Sequence, residues 1–433
     1  MNEFDVIVVG AGASGLMAAL DLALAGKSVQ VLEARSRIGG RIHTVPDAQG
    51  TGIIELGAEF IHGDLPVTQQ LLQEAGLSYH RAGGEMWRYQ NGCLTEDELF
   101  IPEWEQLAYQ LKQLQEDMPL TDFLSGYFPG DEYELLRKAV IDYAAGYDTA
   151  DPTIASSFAL RDEWLQEEEA PQYRIDKGYG ALINYMAQRI TALGSQIVTD
   201  AVVKEVHWQP QRVMVTTREG DCYKATYAVI ALPLGVLKAL PSEQAAVSFV
   251  PAVTACEQAF QLIGMGAVIK VILEFTDAFW NDPAVAGGNN LREMQFLFSD
   301  QRVGTWWTQL PDNRAILTGW LGGYKAVETN YTSKDELIEA ALTSLAGIFD
   351  IAVSSLEEQL LSSRVTDWTV EPFTSGSYSY ATVQTHEAVN SMAEGVANTL
   401  LWAGEAFYTG PLIGTVEAAL ISGKQSAARL LQW

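Results

Sequence analysis

The segment that most constrains this chain lies at its N-terminal end. Phe4 to Val9 is a short apolar run, read as a buried parallel strand. It stops at Gly10-Ala11-Gly12-Ala13-Ser14-Gly15; Leu16 to Ala25 then has a helix-forming composition, and Gly26 is a natural C-terminal stop. Ser28 to Leu32 reads as a second strand and ends in Glu33, eighteen residues beyond Gly15. Strand, glycine turn, helix, strand and acid in that order form a dinucleotide-binding βαβ unit. Gly10 permits the tight turn, Gly12 lets the backbone approach a pyrophosphate, and Gly15 allows close helix–sheet packing. The pyrophosphate sits at the helix start, around Ala13 and Ser14, where unpaired N–H groups and the helix dipole favour negative charge. Glu33 would hydrogen-bond ribose hydroxyls and would repel a 2′-phosphate, which argues against NADP. An incidental glycine turn is the bland alternative.

At 433 residues the chain is too long for one core and is expected to form two lobes. No internal repeat or low-complexity linker separates them, so the lobes interleave. The dinucleotide lobe is expected from 1–63, 176–255 and 385–433, and the second lobe from 64–175 and 256–384. Residues 65–151 read as mostly helical, with 103–118 a polar amphipathic segment. Strands are expected at 196–208, 212–217, 227–232, 267–275, 294–298, 305–310 and 315–321, and helices at 333–349 and 415–431.

Asp and Glu number 55 against 27 Lys and Arg, a net charge of −28. Such a surface repels nucleic acid and anionic membranes and concentrates cationic ligands near a cleft, or serves only solubility. No apolar run reaches the roughly 18–20 residues that span a bilayer. The opening Met1-Asn2-Glu3-Phe4-Asp5 has no basic n-region, so a cytoplasmic protein is expected. Cys93, Cys222 and Cys256 are scattered, and the five histidines show no ligand spacing, so neither disulfides nor a metal site are expected.

The glycine motif alone does not separate FAD from NAD. Downstream, Gly39-Gly40 offers close backbone approach and Arg41 a cation for a phosphate or a flavin's polar edge, unless Arg41 is a plain loop arginine. Together with Val6 to Gly15, Glu33-Ala34-Arg35, Glu55-Leu56-Gly57-Ala58, Pro233 to Lys238, Lys270, Trp368 to Pro372, Gly376-Ser377-Tyr378 and Gly404-Glu405, these residues resemble the flavin-containing amine oxidases in order and across the chain. That superfamily holds monoamine oxidases, polyamine oxidases, L-amino-acid oxidases and lysine-specific histone demethylases.

The resemblance implies an α/β, two-lobed protein: a Rossmann-type FAD-binding domain of the glutathione-reductase-like type, interleaved with a substrate domain of mixed sheet and helices. Glu405 would reach the ribityl or pyrophosphate region, and the backbone at Val203 would meet adenine. The last helix, starting at Gly414-Thr415-Val416, would face the flavin's N1–C2=O edge, where a positive helix end stabilises anionic reduced flavin. Alone, that helix would read as an ordinary amphipathic one. The family places a lysine, here Lys270, bonded through water to flavin N5; the alternative is a strand-end lysine reaching solvent. Trp368 and Tyr378 would wall the isoalloxazine. Monoamine oxidases carry a flavin-linked cysteine where this chain has Ser377, so the FAD is expected to be non-covalent. They also carry a tyrosine where Thr415 stands, so a two-tyrosine cage is not expected.

The loop Glu55 to Gly63 bears on substrate. L-amino-acid oxidases place an arginine there; this chain has Glu59 instead, and Ile61-His62-Gly63 resembles polyamine oxidases. Glu59 and His62 are therefore candidate contacts for a cationic amine, or else a solvated acid and a packed loop histidine. The expected chemistry is oxidation of a neutral amine by hydride transfer from its α-carbon to FAD, giving an imine that hydrolyses to aldehyde or ketone, with O2 reduced to hydrogen peroxide. The expected substrate is a di- or polyamine, with a primary monoamine as the alternative. A GxSxG hydrolase fails because Leu16 occupies the second glycine position. A plain NAD dehydrogenase has no use for the Gly39-Gly40-Arg41 and Gly404-Glu405 elements, and a silent flavin-binding scaffold has no use for Lys270 and Tyr378.

Overall fold

The computed structural model describes residues 3–96, 101–167, 171–328 and 333–433. Met1 and Asn2 of the opening stretch, and residues 97–100 of the stretch expected to be helical, lie outside the described residues.

The strand Glu3–Val9 pairs in parallel with Val29–Leu32 on one side and Cys222–Ile230 on the other. Gln196–Val198 extends the parallel set beyond Val29–Leu32, and Leu400–Trp402 runs parallel beside the end of Cys222–Ile230. The start of that same strand carries Arg212–Thr217, then Val203–Gln209, both antiparallel, with Ser248–Val250 at the edge. Side chains alternate across a strand, so both faces of Glu3–Val9 need covering. Val6 and Val8 pack among the helices Ala13–Leu24, Tyr179–Ala192 and Val416–Leu430. Ile7 and Val9 pack on the other face with Cys256, Phe260, Val389 and Met392. Fully buried, each contributes on the order of 1.5–3 kcal/mol. The closing helix Val416–Leu430 lies against Ala13–Leu24 so tightly that a Cβ on Gly423 would collide with Ser14 O.

A second, seven-stranded sheet runs in the order Leu360–Asp367, Val268–Phe275, Ile316–Gly322, Thr305–Trp307, Met294–Ser299, Glu85–Gln90, Cys93–Glu96. One face is dry. Ile269, Val271, Leu273, Leu317 and Leu321 pack against helix Lys334–Phe349, which starts with a capping box of Ser333 and Glu336. Alternation places Lys270 and Ile272 on the opposite face. There Lys270 stands opposite Trp320, Trp320 opposite Thr305, and Thr305 opposite Phe298. The neighbouring row is Ile272, Thr318, Trp307 and Phe296. A separate cluster of helices between 104 and 167 has its own core around Phe123, Phe128, Val140 and Trp164. Among the described residues no single helix is long and apolar enough to cross a membrane.

Several expected elements differ. The stretch 65–151 contains three strands, Tyr79–Ala82, Glu85–Gln90 and Cys93–Glu96. The last two form a hairpin around Asn91-Gly92, both at positive φ (54° and 79°), the two-residue turn that fits the right-handed twist of paired strands. The segment 196–208 is two strands, broken where Asp200 takes φ 56°. The expected strand 227–232 is the second half of Cys222–Ile230, and 305–310 is regular only over Thr305–Trp307. Helix 103–118 shortens to Trp104–Gln113.

Candidate active site

The glycine turn and the Gly39-Gly40 turn meet. Gly39 N donates to Ala11 O at 2.8 Å, and Gly12 and Gly39 form an isolated bridge. Gly12 starts the helix Ala13–Leu24 with no side-chain cap, so the leading N–H groups of Ala13, Ser14 and Gly15 have no intrahelical partner. A Cβ added at Gly12 would meet none of the described residues within 4 Å, so its backbone borders open space. Glu33, buried at the end of the second strand, accepts from Ala11 N at 2.9 Å through one oxygen and from Arg35 N at 3.0 Å through the other. Each oxygen keeps a lone pair for a ribose hydroxyl. Open backbone, unpaired helix-start donors and a fixed acid are what a dinucleotide requires, so these residues fit FAD.

Arg41 takes a definite position rather than a free loop one. Its Nη1 donates to Ser377 O at 2.6 Å and pairs with Glu405 at 2.7 Å. Glu405 is buried and also accepts from the Ser379 hydroxyl. Glu405 is thus anchored through one oxygen on Arg41 and through the other on Ser379. Arg35, beside Ala34, likewise pairs with Glu371 and donates to Thr374 Oγ1 at 2.7 Å. Burial, with Arg37 and Arg35 nearby, lowers the His43 imidazole to about 4.

The segment Glu55 to Ala58 is laced to this cradle. Leu56 N donates to His43 O and Ala58 N to Arg41 O, while Trp368 Nε1 donates to Leu56 O at 3.1 Å. No side chain fits at Gly57, where a Cβ would run into Arg41 O. Tyr378 and Gly414 also meet: a Cβ on Gly414 would lie 3.2 Å from the Tyr378 ring, whose hydroxyl donates to Tyr147 O. Thr415, next to Val416, caps the closing helix by accepting from Ala418 N at 3.1 Å. Val203 is buried at the start of its strand, in register with Thr217 and in the same core as Leu32; two residues before it, Ala201 N donates to Glu33 O at 2.8 Å.

Lys270 does not reach solvent. It is 2% exposed, and its ammonium donates to Glu55 O at 2.6 Å, to Gly57 O at 3.3 Å and to Glu59 Oε2 at 2.7 Å. All three N–H groups are therefore engaged by protein, and the long contact to Gly57 O is the one a water could replace. Glu59 is not solvated either: buried, it also accepts from Arg174 Nη2 at 2.9 Å and from Trp307 Nε1 at 3.1 Å. Burial pushes its carboxyl up, but Lys270 and Arg174 outweigh that and hold it below the usual range. Glu55 has no such cation on its carboxyl; burial pushes it up to about 7 against hydrogen bonds from Thr44 Oγ1 and Tyr179 N. His62 lies on a short strand beside Gln172, its ring 6.1 Å from that of Phe60.

Sequence reasoning missed Arg174, Trp307 and Ser379. No local pattern marks Arg174: its burial in the strand Gln172–Ile175, and with it the need for a partner, is set by the fold. Arg174 also donates to Thr308 O and Leu310 O and lies 4.5 Å over the Phe60 ring.

Residues 13–431 match the family model described as flavin containing amine oxidoreductase. Among curated relatives, a lysine-specific histone demethylase 1 homolog 3 of Arabidopsis thaliana is 27% identical over all of this chain, which spans only 30% of that protein. Across the demethylases matched, the chain spans 30–57% of their length. Polyamine oxidase 2 of the same plant is 27% identical, with 99% of this chain and 89% of that protein covered. A putrescine oxidase solved with putrescine bound has the same fold, at TM-score 0.79 and 21% identity over the whole of both chains. With its FAD cradle assembled from both ends of the sequence, the chain belongs to the flavin-containing amine oxidoreductase family.

Proposed function

We propose that this protein oxidises a carbon–nitrogen bond of a di- or polyamine, with O2 as electron acceptor and hydrogen peroxide as product. The observation that carries the reading is the sheet face bearing Lys270, Trp320, Trp307, Phe296 and Phe298, whose lysine is fastened to Glu55 and Gly57 of the cofactor cradle. Bound FAD supplies the two-electron oxidation of the amine carbon. Gly12, Glu33, Gly39, Gly40 and the start of the closing helix would hold it, and Arg41 is fixed between the two halves of that cradle. The aromatic side chains exclude water and offer π faces to an ammonium group. Lys270, Glu59 and Arg174 together carry one net positive charge, which disfavours the ammonium form of an amine placed beside them. The reacting nitrogen is thereby held neutral while distal ammonium groups are drawn by the acidic surface.

A primary monoamine is the second reading, favoured by the enclosure of Glu59 in ion pairs, which leaves that carboxylate no oxygen aimed at a distal ammonium. Oxygen uptake and peroxide formation with putrescine, spermidine, spermine, phenylethylamine and L-leucine separate the two. Turnover with the first three supports the di- or polyamine reading, and turnover with phenylethylamine alone replaces it by the second. Turnover with none of the amines, by a protein that carries flavin, contradicts both.

A further inference from the structure

Lys270 is held by two uncharged carbonyl oxygens and a single carboxylate, that of Glu59. The carboxylate is itself fixed from behind. Arg174 donates to it through Nε at 3.2 Å and Nη2 at 2.9 Å, and the Trp307 indole N–H bridges both oxygens at 3.1 Å. Arg174 in turn is immobilised by Leu310 O at 2.6 Å, Thr308 O at 2.9 Å and the face of Phe60. Lys270 donates to three acceptors, Arg174 to Glu59, Thr308 O and Leu310 O, and both Glu59 oxygens accept; all three side chains are more than nine-tenths buried. We propose that Glu59 and Arg174 are positioning residues for Lys270, fixing its ammonium toward the cofactor through a direct ion pair. The proposal rests on the FAD-dependent reading only in taking Lys270 to face the flavin.

The charge count explains why the carboxylate is needed. Without Glu59, two cations would share one buried site. Arginine does not give up its proton, whereas a buried lysine does so readily, so the burden would fall on Lys270. The other charged groups facing Lys270 cannot substitute. The Glu55 carboxyl is turned to Thr44 and Tyr179 N, and Glu274, further along the same strand face, is paired with Arg364. Glu59 is thus the one carboxylate paired with Lys270, and Arg174 aims that carboxylate.

The test needs no amine. The midpoint potential of the bound flavin is measured from about pH 6 to about pH 9 in wild type, Glu59→Gln, Lys270→Met and the double variant. The Glu59→Gln profile is expected to gain a proton-linked inflection that wild type lacks, and the inflection is expected to vanish in the double variant. A Glu59→Gln profile that superimposes on wild type, or an inflection that survives Lys270→Met, overturns the proposal. Should Glu59→Gln lose flavin or fold poorly, thermal unfolding of the same four proteins decides. Lys270→Met is expected to lower the midpoint in the wild-type background but raise it, or recover folded protein, in the Glu59→Gln background. The same sign in both backgrounds overturns the proposal. A wild-type protein that cannot be loaded with FAD would instead defeat the cofactor assignment itself.

Discussion

Arg41 and Glu405 form an ion pair at 2.7 Å although 364 positions separate them in sequence. The pair joins the Gly39-Gly40 turn to the segment before the closing helix, and Arg41 holds Ser377 O at the same time. Both ends of the chain must therefore be in place before the cradle exists.

Glu405→Leu should weaken that closure. It leaves Arg41 with one carbonyl partner and the Ser379 hydroxyl with none of its carboxylate bond. Because Arg41 is a quarter exposed, the expected loss is about 2 kcal/mol rather than the larger cost of a fully buried pair. Thermal unfolding and the flavin-to-protein absorbance ratio should fall together. A variant with wild-type stability and full flavin content would contradict the role assigned to Glu405.

Gly12 and Gly15 should separate fold from cofactor. Alanine at Gly12 meets none of the described residues and needs no unusual backbone, since φ is −77° there. Gly12→Ala should fold with an unchanged apoprotein midpoint yet bind FAD at least roughly tenfold more weakly, because the added methyl occupies the pyrophosphate approach. Gly15→Ala should instead destabilise the apoprotein, since its methyl collides with Gly10 O. Equal effects of the two substitutions on apoprotein stability would be the contrary result.

Glu55 should make stability depend on pH. Its folded value of about 7 lies above the ordinary 4.5, so its favourable contribution is present below pH 4.5 and is lost as pH rises through 7. The loss is on the order of 3 kcal/mol. His43, lowered from 6.5 to about 4, acts oppositely: its contribution is present above pH 6.5 and is lost as pH falls through about 4. Comparing Glu55→Gln with wild type cancels His43. The variant should gain stability relative to wild type between about pH 5 and about pH 8. A difference that stays constant over that range would refute the buried, raised carboxyl.

The FAD should leave on denaturation. Ser377, at the position where a flavin-linked cysteine stands in monoamine oxidases, is buried with its hydroxyl 3.3 Å from Thr149 Oγ1. Heat or acid precipitation should release all the yellow colour into the supernatant. Colour retained in the washed pellet would mean a covalent link elsewhere.

What the sequence disclosed followed from locality. The βαβ unit is set by neighbouring residues, so Gly10 to Gly15 and Glu33 were legible, and the isolated lysine of an apolar strand flagged Lys270. The Asn91-Gly92 hairpin is equally local, a two-residue turn with alternating side chains on either side, in a stretch whose overall composition suggests helix. The partners of charged groups were not legible. Glu59 reads as a free acid until Arg174, 115 positions away, and Lys270, 211 positions away, close on it through two different sheets. Likewise Glu417, an unremarked first-turn acid, is completely buried and accepts from Val67 N and Thr68 N at the start of helix Pro66–Ala75. Such pairings depend on register between distant strands and helices, which no local pattern encodes.

The most direct test of the central claim is the absorbance spectrum of purified holoprotein, recorded anaerobically before and after each amine. A band near ~450 nm that bleaches with an amine and returns on admitting oxygen is expected. A flavin band that no amine bleaches would contradict amine oxidation while leaving the FAD cradle intact.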